Sequence, residues 1–114
     1  MNRYRRQIAF AEIGEAGQAL LEQATVAICG LGALGSCVAE RLCRVGIGKL
    51  ILIDRDWVEL DNLARQTLYT EEDARNATPK SIAITEHLQR INSDIIVEPH
   101  VCDLDVDNIH AMFS

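Results

Sequence analysis

The chain has 114 residues, 48% of them hydrophobic and 25% charged, which suits one globular domain with a modest core. Its formal net charge of −6 comes without a basic stripe, which excludes nucleic acid as the main partner. No apolar run approaches the ~20 residues needed to span a bilayer, and no basic-apolar signal pattern opens the chain, so the expected compartment is the cytoplasm with no membrane partner. Residues 1–24 read as an N-terminal arm and helix: 1–10 is basic and extended or only partly helical, and 15–23 is a short helix turning Ala19 and Leu20 toward a core. Thr25–Cys29 is the first strand. The helix after it puts Leu34, Cys37, Val38, Leu42 and Val45 on one face at spacings of three and four, and Gly46 and Gly48 end it. Lys49–Ile53 is apolar enough to be a strand covered on both sheet faces. A loop over 62–70 with at most a turn of helix follows. Pro79 then opens a helix over 79–92 with Ile84, Leu88 and Ile91 inward. Residues 95–101 make a third strand whose Pro99 places it at a sheet edge, and Asp105 or Asp107 caps a last short helix.

The first strand runs straight into Gly30-x-Gly32-x-x-Gly35, and Asp54 ends the second strand 19 residues after Gly35. This is a nucleotide-binding βαβ pattern. Gly30 permits the tight turn, Gly32 lets backbone approach a phosphate, and Gly35 lets the helix pack against the strands, so free N–H groups face the anion. Asp54 stands where an acidic side chain accepts hydrogen bonds from ribose hydroxyls. These residues specify an adenine nucleotide without separating NAD, FAD and ATP, and the same glycines also serve merely to pack a helix on a sheet. Asn62, Arg65 and Gln66 lie just beyond the second strand, and Pro79-Lys80 opens the next helix. Two cations beside a phosphate loop suit a triphosphate better than a dinucleotide, although most Arg and Lys are ordinary surface residues.

The run from Asp54 to Gln66, D-x-D-x-V-x-x-x-N-L-x-R-Q, followed by Pro79-Lys80 and preceded by Arg3-Tyr4-x-Arg6-Gln7, closely resembles the ThiF/MoeB/HesA family, relatives of ubiquitin-activating enzymes. The resemblance implies an enzyme that takes ATP with Mg²⁺ and adenylates the C-terminal carboxylate of a ubiquitin-like sulfur-carrier protein, as in thiamine or molybdopterin biosynthesis. Cations must then cancel the repulsion between a carboxylate and an anionic α-phosphate. By the same resemblance Arg65 and Lys80 hold phosphate oxygens, Asn62 and Gln66 support them, Asp54 binds the ribose, and Asp56 lines the strand end near nucleotide and metal. Arg6 corresponds to an N-terminal arginine that reaches into the partner's site, which implies a homodimer.

The segment between Arg65 and Lys80 is slightly longer than the family's T-E-E-D-x-G-x-P-K, so the register of Lys80 is an assumption of the alignment. The fold expected is α/β: a Rossmann-like βαβ half over 25–114, a parallel sheet flanked by helices and truncated before a fourth strand. Family parts that would follow Ser114 include a further Asp, so residues 1–114 are expected to supply nucleotide binding without turnover. The missing strand would leave Thr25–Cys29 as an open edge, a second route to self-association.

The competing reading is the NAD-binding domain of an oxidoreductase, for which Gly30, Gly32, Gly35 and Asp54 alone suffice. A third is a chain that only dimerises. Cys29, Cys37, Cys43 and Cys102 have no C-x-x-C spacing, so no metal site is expected, and they read as small buried hydrophobes, Cys102 least securely. His87, His100 and His110 show no metal spacing and receive no role, and Trp57 reads as a packing residue.

Overall fold

Runs rich in Val, Ile and Leu form the sheet: Thr25–Cys29 (β1), Lys49–Ile53 (β2) and Ile96–His100 (β3) pair in parallel, in the order β1-β2-β3. A computed structural model describes residues 2–113. The register is Cys29↔Ile53↔His100 at the C-terminal ends of the strands, and Pro99 lies on an edge strand as its missing N–H requires. Parallel neighbours need crossovers, and helices supply them. Arg5–Ile8 (α1) and Gly14–Gln23 (α2) precede β1, and Ala33–Val45 (α3) joins β1 to β2. Between β2 and β3 lie a 3-10 turn, Leu60–Ala64, and helices Glu71–Arg75 (α4) and Lys80–Ile91 (α5). Ile109–Phe113 (α6) ends the chain, its entry fixed by the Asp105 carboxylate accepting from the N–H groups of Asp107 and Asn108. No helix among the described residues is long and apolar enough to cross a membrane.

One core lies between one face of the sheet and helices α3 and α5. Ile28, Leu50, Leu52 and Val97 meet Ala39, Cys43, Ala83, Ile84 and Leu88 there. Each fully buried Leu or Ile contributes roughly 1.5–3 kcal/mol, so this face dominates stability. Ile51 and Ile53 point to the other face and are also buried, but the flanking Ala27, Cys29 and Ile96 are exposed. Full coverage of both faces therefore holds for the central strand and not for its neighbours.

Three inward assignments change. On α3 Ser36, Ala39 and Cys43 are buried against the core and Leu42 packs partly against it as expected, whereas Leu34 is 78% exposed and Val38 is also at the surface. The helix lies so close to the sheet that a Cβ on Gly35 would come within 1.9 Å of the Gly30 carbonyl oxygen, and only small side chains fit beneath it. On α2 Ala19 and Leu20 are exposed and Gln18 is buried instead, donating to the Val45 carbonyl at 3.3 Å. That bond and Gln7 Nε2 to the same oxygen (2.8 Å) dock the N-terminal helices on the end of α3. Among the cysteines Cys43 is buried, Cys29 is exposed, and Cys37 and Cys102 are intermediate.

Helix α4 starts with a capping box: Thr70 Oγ1 accepts from the Asp73 N–H, and the Asp73 carboxylate accepts from the Thr70 N–H at 2.9 Å. Burial works to raise the Asp73 carboxyl, but the hydrogen bonds from His87 and Thr70 outweigh it and hold the group below the usual carboxylate range. A depressed native value means that Asp73 contributes stability above its unfolded value of about 3.9 and loses it as pH falls through the lower native value. Urea unfolding as a function of pH should therefore show an acid limb below about pH 4 that is shallower in Asp73→Asn.

Candidate functional site

The turn from β1 into α3 is a loop held from several sides. Gly30 adopts φ +94, which an L side chain rarely tolerates, while its N–H reaches the Ile53 carbonyl at 2.9 Å. Leu31, fully buried, is gripped at both ends of its backbone. Its N–H donates to Asp54 Oδ2 at 2.7 Å, and its carbonyl accepts from the Tyr69 hydroxyl at 2.5 Å. Gly32 stands at the N-cap of α3 with nothing within 4 Å of where a Cβ would project. The open side of the loop thus presents backbone at the N-terminus of a 13-residue helix, where the macrodipole and free N–H groups favour an anion.

Asp54 has a second duty, accepting from the Asp56 N–H through Oδ1 at 2.7 Å. A carboxylate offers about four acceptor positions, so both oxygens keep capacity for a ligand hydroxyl while latching the loop. Tyr69 is the functional residue that sequence reasoning missed. Burial pushes its phenol far above the ordinary range, with the Asp54 and Asp73 carboxylates adding to it, so it is a permanent neutral donor. A tyrosine inside a polar loop was the available signal, since a buried Tyr needs a partner for its hydroxyl.

Two clefts adjoin at Asp56. One, of about 230 Å³, is lined by Gly30, Asp54, Asp56 and Asp103 with Cys29 and Cys102, at the C-terminal ends of the strands. The other, of about 190 Å³, is lined by Asp56, Trp57, Glu59, Asn62 and Lys80. Ligands of open α/β sheets bind at such strand ends. Lys80 is only 7% exposed, makes no ion pair among the described residues, and has its ammonium 5.9 Å from the centre of the Tyr69 ring. Its backbone N–H donates to the Asp56 carbonyl at 2.9 Å, which ties the start of α5 to the segment after β2. A lysine without a carboxylate partner among the described residues, at the N-terminus of α5 where the dipole is unfavourable to a cation, gains from an anion that joins it.

Asn62 and Gln66 are buried beside the 3-10 turn. Asn62 Oδ1 accepts from the Glu59 N–H at 2.8 Å, so it shapes the turn, while Gln66 Oε1 has no hydrogen-bond partner among the described residues. Arg65 caps the same turn, is exposed, and has no ion pair among the described residues. Arg55, by contrast, is bound to Asp103 at 3.0 Å and lies near Asp56. Trp57 is 55% exposed on the cleft wall, which overturns its reading as a packing residue, because its backbone bridges to Pro79 and leaves the ring outside. No group of three or more His, Cys, Asp or Glu among the described residues gathers as metal ligands.

Gly30, Gly32, Gly35, Asp54, Asp56, Tyr69 and Lys80 therefore converge, with Asn62, Arg65 and Gln66 on the adjoining turn. Arg6 does not join them. Its neighbour Gln7 bonds to Val45, and Tyr4 packs on Gly46, so α1 sits at the C-terminal end of α3, about 20 Å along that helix from the glycine loop.

Residues 4–114 match the ThiF family. The sulfur carrier protein ThiS adenylyltransferase of Bacillus subtilis is 48% identical over 110 residues, covering 96% of this chain and 33% of that protein. The SAMP-activating enzyme E1 of Haloferax volcanii is 36% identical, covering 100% of this chain and 42% of its own length. Among solved structures, E. coli MccB with ATP superposes with a TM-score of 0.85 at 34% identity, covering 97% of this chain and 34% of that one. The chain thus spans between a third and a half of the relatives it matches here.

Proposed function

Because the chain belongs to the ThiF family, we propose that it supplies the ATP site of an enzyme that adenylates the C-terminal carboxylate of a ubiquitin-like sulfur-carrier protein, as in thiamine or molybdopterin biosynthesis. The observation that carries this reading is Lys80, a residue only 7% exposed and without an ion pair among the described residues, lining the cleft that adjoins an open glycine loop. Relatives named adenylyltransferases and a neighbour solved with ATP support it. The residues fit the nucleotide on their own chemistry: free space at Gly32, two carboxylate oxygens at Asp54 with acceptor capacity left, and an orphaned acceptor on Gln66.

The Gly32 backbone and the α3 N-terminus take phosphate oxygens, and Asp54 accepts from the ribose. Lys80 and Arg65 offset the charge that builds on the leaving pyrophosphate as a carboxylate oxygen attacks the α-phosphate. Asp56, at the junction of the clefts, would hold Mg²⁺ through its carboxylate, and the ion would supply positive charge to the phosphates; a single protein carboxylate suits Mg²⁺, which commonly needs no all-protein cage. Arg6 lies too far to serve its own site, so it acts on a second copy, in a cytoplasmic homodimer with the carrier as the other partner.

Isothermal titration with Mg²⁺ should show ATP binding at least about 10-fold tighter than NAD, because a dinucleotide leaves Lys80 without its phosphate. Tighter NAD binding would instead favour the oxidoreductase reading. The chemistry itself is read in a protein of the relatives' full length by carrier-dependent exchange of labelled pyrophosphate into ATP, lost there on removal of the Lys80 charge. Arg6→Ala should leave sedimentation as a dimer intact and weaken ATP binding.

A further inference from the structure

The segment that delivers Lys80 to the cleft has no glycine and closes through Ala77 at φ +48, a left-handed conformation that alanine adopts under strain. Such a turn persists only where its surroundings over-determine it. The surroundings here converge on one residue. The Asp73 carbonyl accepts from the Thr78 N–H at 3.0 Å, directly across the strained turn. The Asp73 carboxylate, 9% exposed, accepts from the Thr70 N–H at 2.9 Å and meets His87 Nε2 at 2.8 Å. His87 lies on α5, seven positions after Lys80, so α4 is tied to the helix that Lys80 begins. From Thr78 the grip continues to the site, because the Thr78 carbonyl accepts from the Val58 N–H at 2.8 Å and Lys80 N–H reaches the Asp56 carbonyl at 2.9 Å.

We propose that the Asp73–His87 pair is a positioning clamp that holds the strained 73–79 turn shut and thereby aims Lys80 at the phosphate cleft. The clamp rests on the reading of Lys80 as a phosphate ligand, and neither Asp73 nor His87 touches the nucleotide. The bond works across two elements that few other contacts join, so its loss frees the segment before Lys80 without disturbing the core around Ile84 and Leu88. The sequence gives His87 no role because the spacing to Asp73 matches neither a metal motif nor a helix face; only the fold of α4 against α5 brings them together.

The test uses the 114-residue chain with His87→Ala, His87→Gln, and Ile84→Val as a core variant chosen to lower the melting temperature comparably. Hydrogen exchange at the Thr78 and Lys80 amides should be about 10-fold faster in His87→Ala than in wild type, and near wild type in Ile84→Val. ATP affinity should fall about 10-fold in His87→Ala, as misplacement of a charge-bearing group does, recover in part in His87→Gln, whose amide can still donate to Asp73, and hold in Ile84→Val. Unchanged exchange at Thr78 and Lys80 in His87→Ala would overturn the clamp, as would an equal affinity loss in Ile84→Val. A wild-type chain that binds no ATP would sink the phosphate role of Lys80, and the exchange rates would still decide the clamp.

Discussion

Lys80→Met should leave the chain at least as stable as before and cost about 100-fold in ATP affinity, roughly 2.7 kcal/mol. Stability and binding move in opposite directions because of where the ammonium lies. Lys80 as a residue is 7% exposed, has no ion pair among the described residues, and starts α5, where the dipole is unfavourable to a cation. Methionine keeps most of the stem while removing a charge that the dipole disfavours, and only the ammonium's place 5.9 Å from the centre of the Tyr69 ring is lost. A purely structural lysine would behave otherwise, losing stability with its contacts. The checks are urea unfolding for the first half and isothermal titration for the second. Wild-type affinity in the variant would remove Lys80 from the site, and a large loss of stability would mean that it has an anionic partner within the fold.

Gly35→Ala and Gly32→Ala should separate folding from binding within one motif. A Cβ at Gly35 falls 1.9 Å from the Gly30 carbonyl oxygen and 3.0 Å from its carbon, both backbone atoms that cannot swing away. Relief requires α3 to lift from β1, opening the layer of Ser36, Ala39 and Cys43, at a cost of about 3 kcal/mol or more. For a domain of this size that lowers the melting temperature by roughly 10–20 °C. At Gly32 a Cβ meets nothing within 4 Å and φ is −80, so alanine is tolerated and the fold should change by no more than about 0.5 kcal/mol. The methyl group would instead occupy the approach of a phosphate, and ATP affinity should fall about 10-fold or more. Calorimetric melting paired with titration measures both. An equal melting loss in the two variants would show that Gly32 also serves packing.

Much of the site was legible because its parts are local. Strand, glycine turn, helix and acidic strand end lie within Thr25 to Asp54, where each step depends on neighbours in sequence, and all three glycines occur where their spacing put them. Pro79 opens α5 and Ile84 and Leu88 face the core, because a 3.6-residue period over 12 residues leaves few other choices. The inward face of α3 was misread for the opposite reason. Leu34 and Val38 carry more apolar area than Ser36 and Ala39, yet the distance between helix and sheet decides which row fits, and that distance is set by Gly35 against Gly30.

By itself the sequence determined the α/β class, the strand order at its proline-bearing edge and the family, and it pointed to the loop and Lys80 as candidates, since periodicity, turn chemistry and ordered motifs are properties of contiguous residues. Only the tertiary structure decided what those residues do to one another. It made Asp54 the latch of the Leu31 N–H, Tyr69 the donor to its carbonyl, and His87 the partner of Asp73, while leaving Arg6 at the far end of α3. Each of these depends on elements far apart in sequence meeting in space, the bonded groups at Tyr69 and Leu31 being 38 positions apart. A buried polar atom must find a partner wherever packing brings one, and packing is settled by the whole core at once.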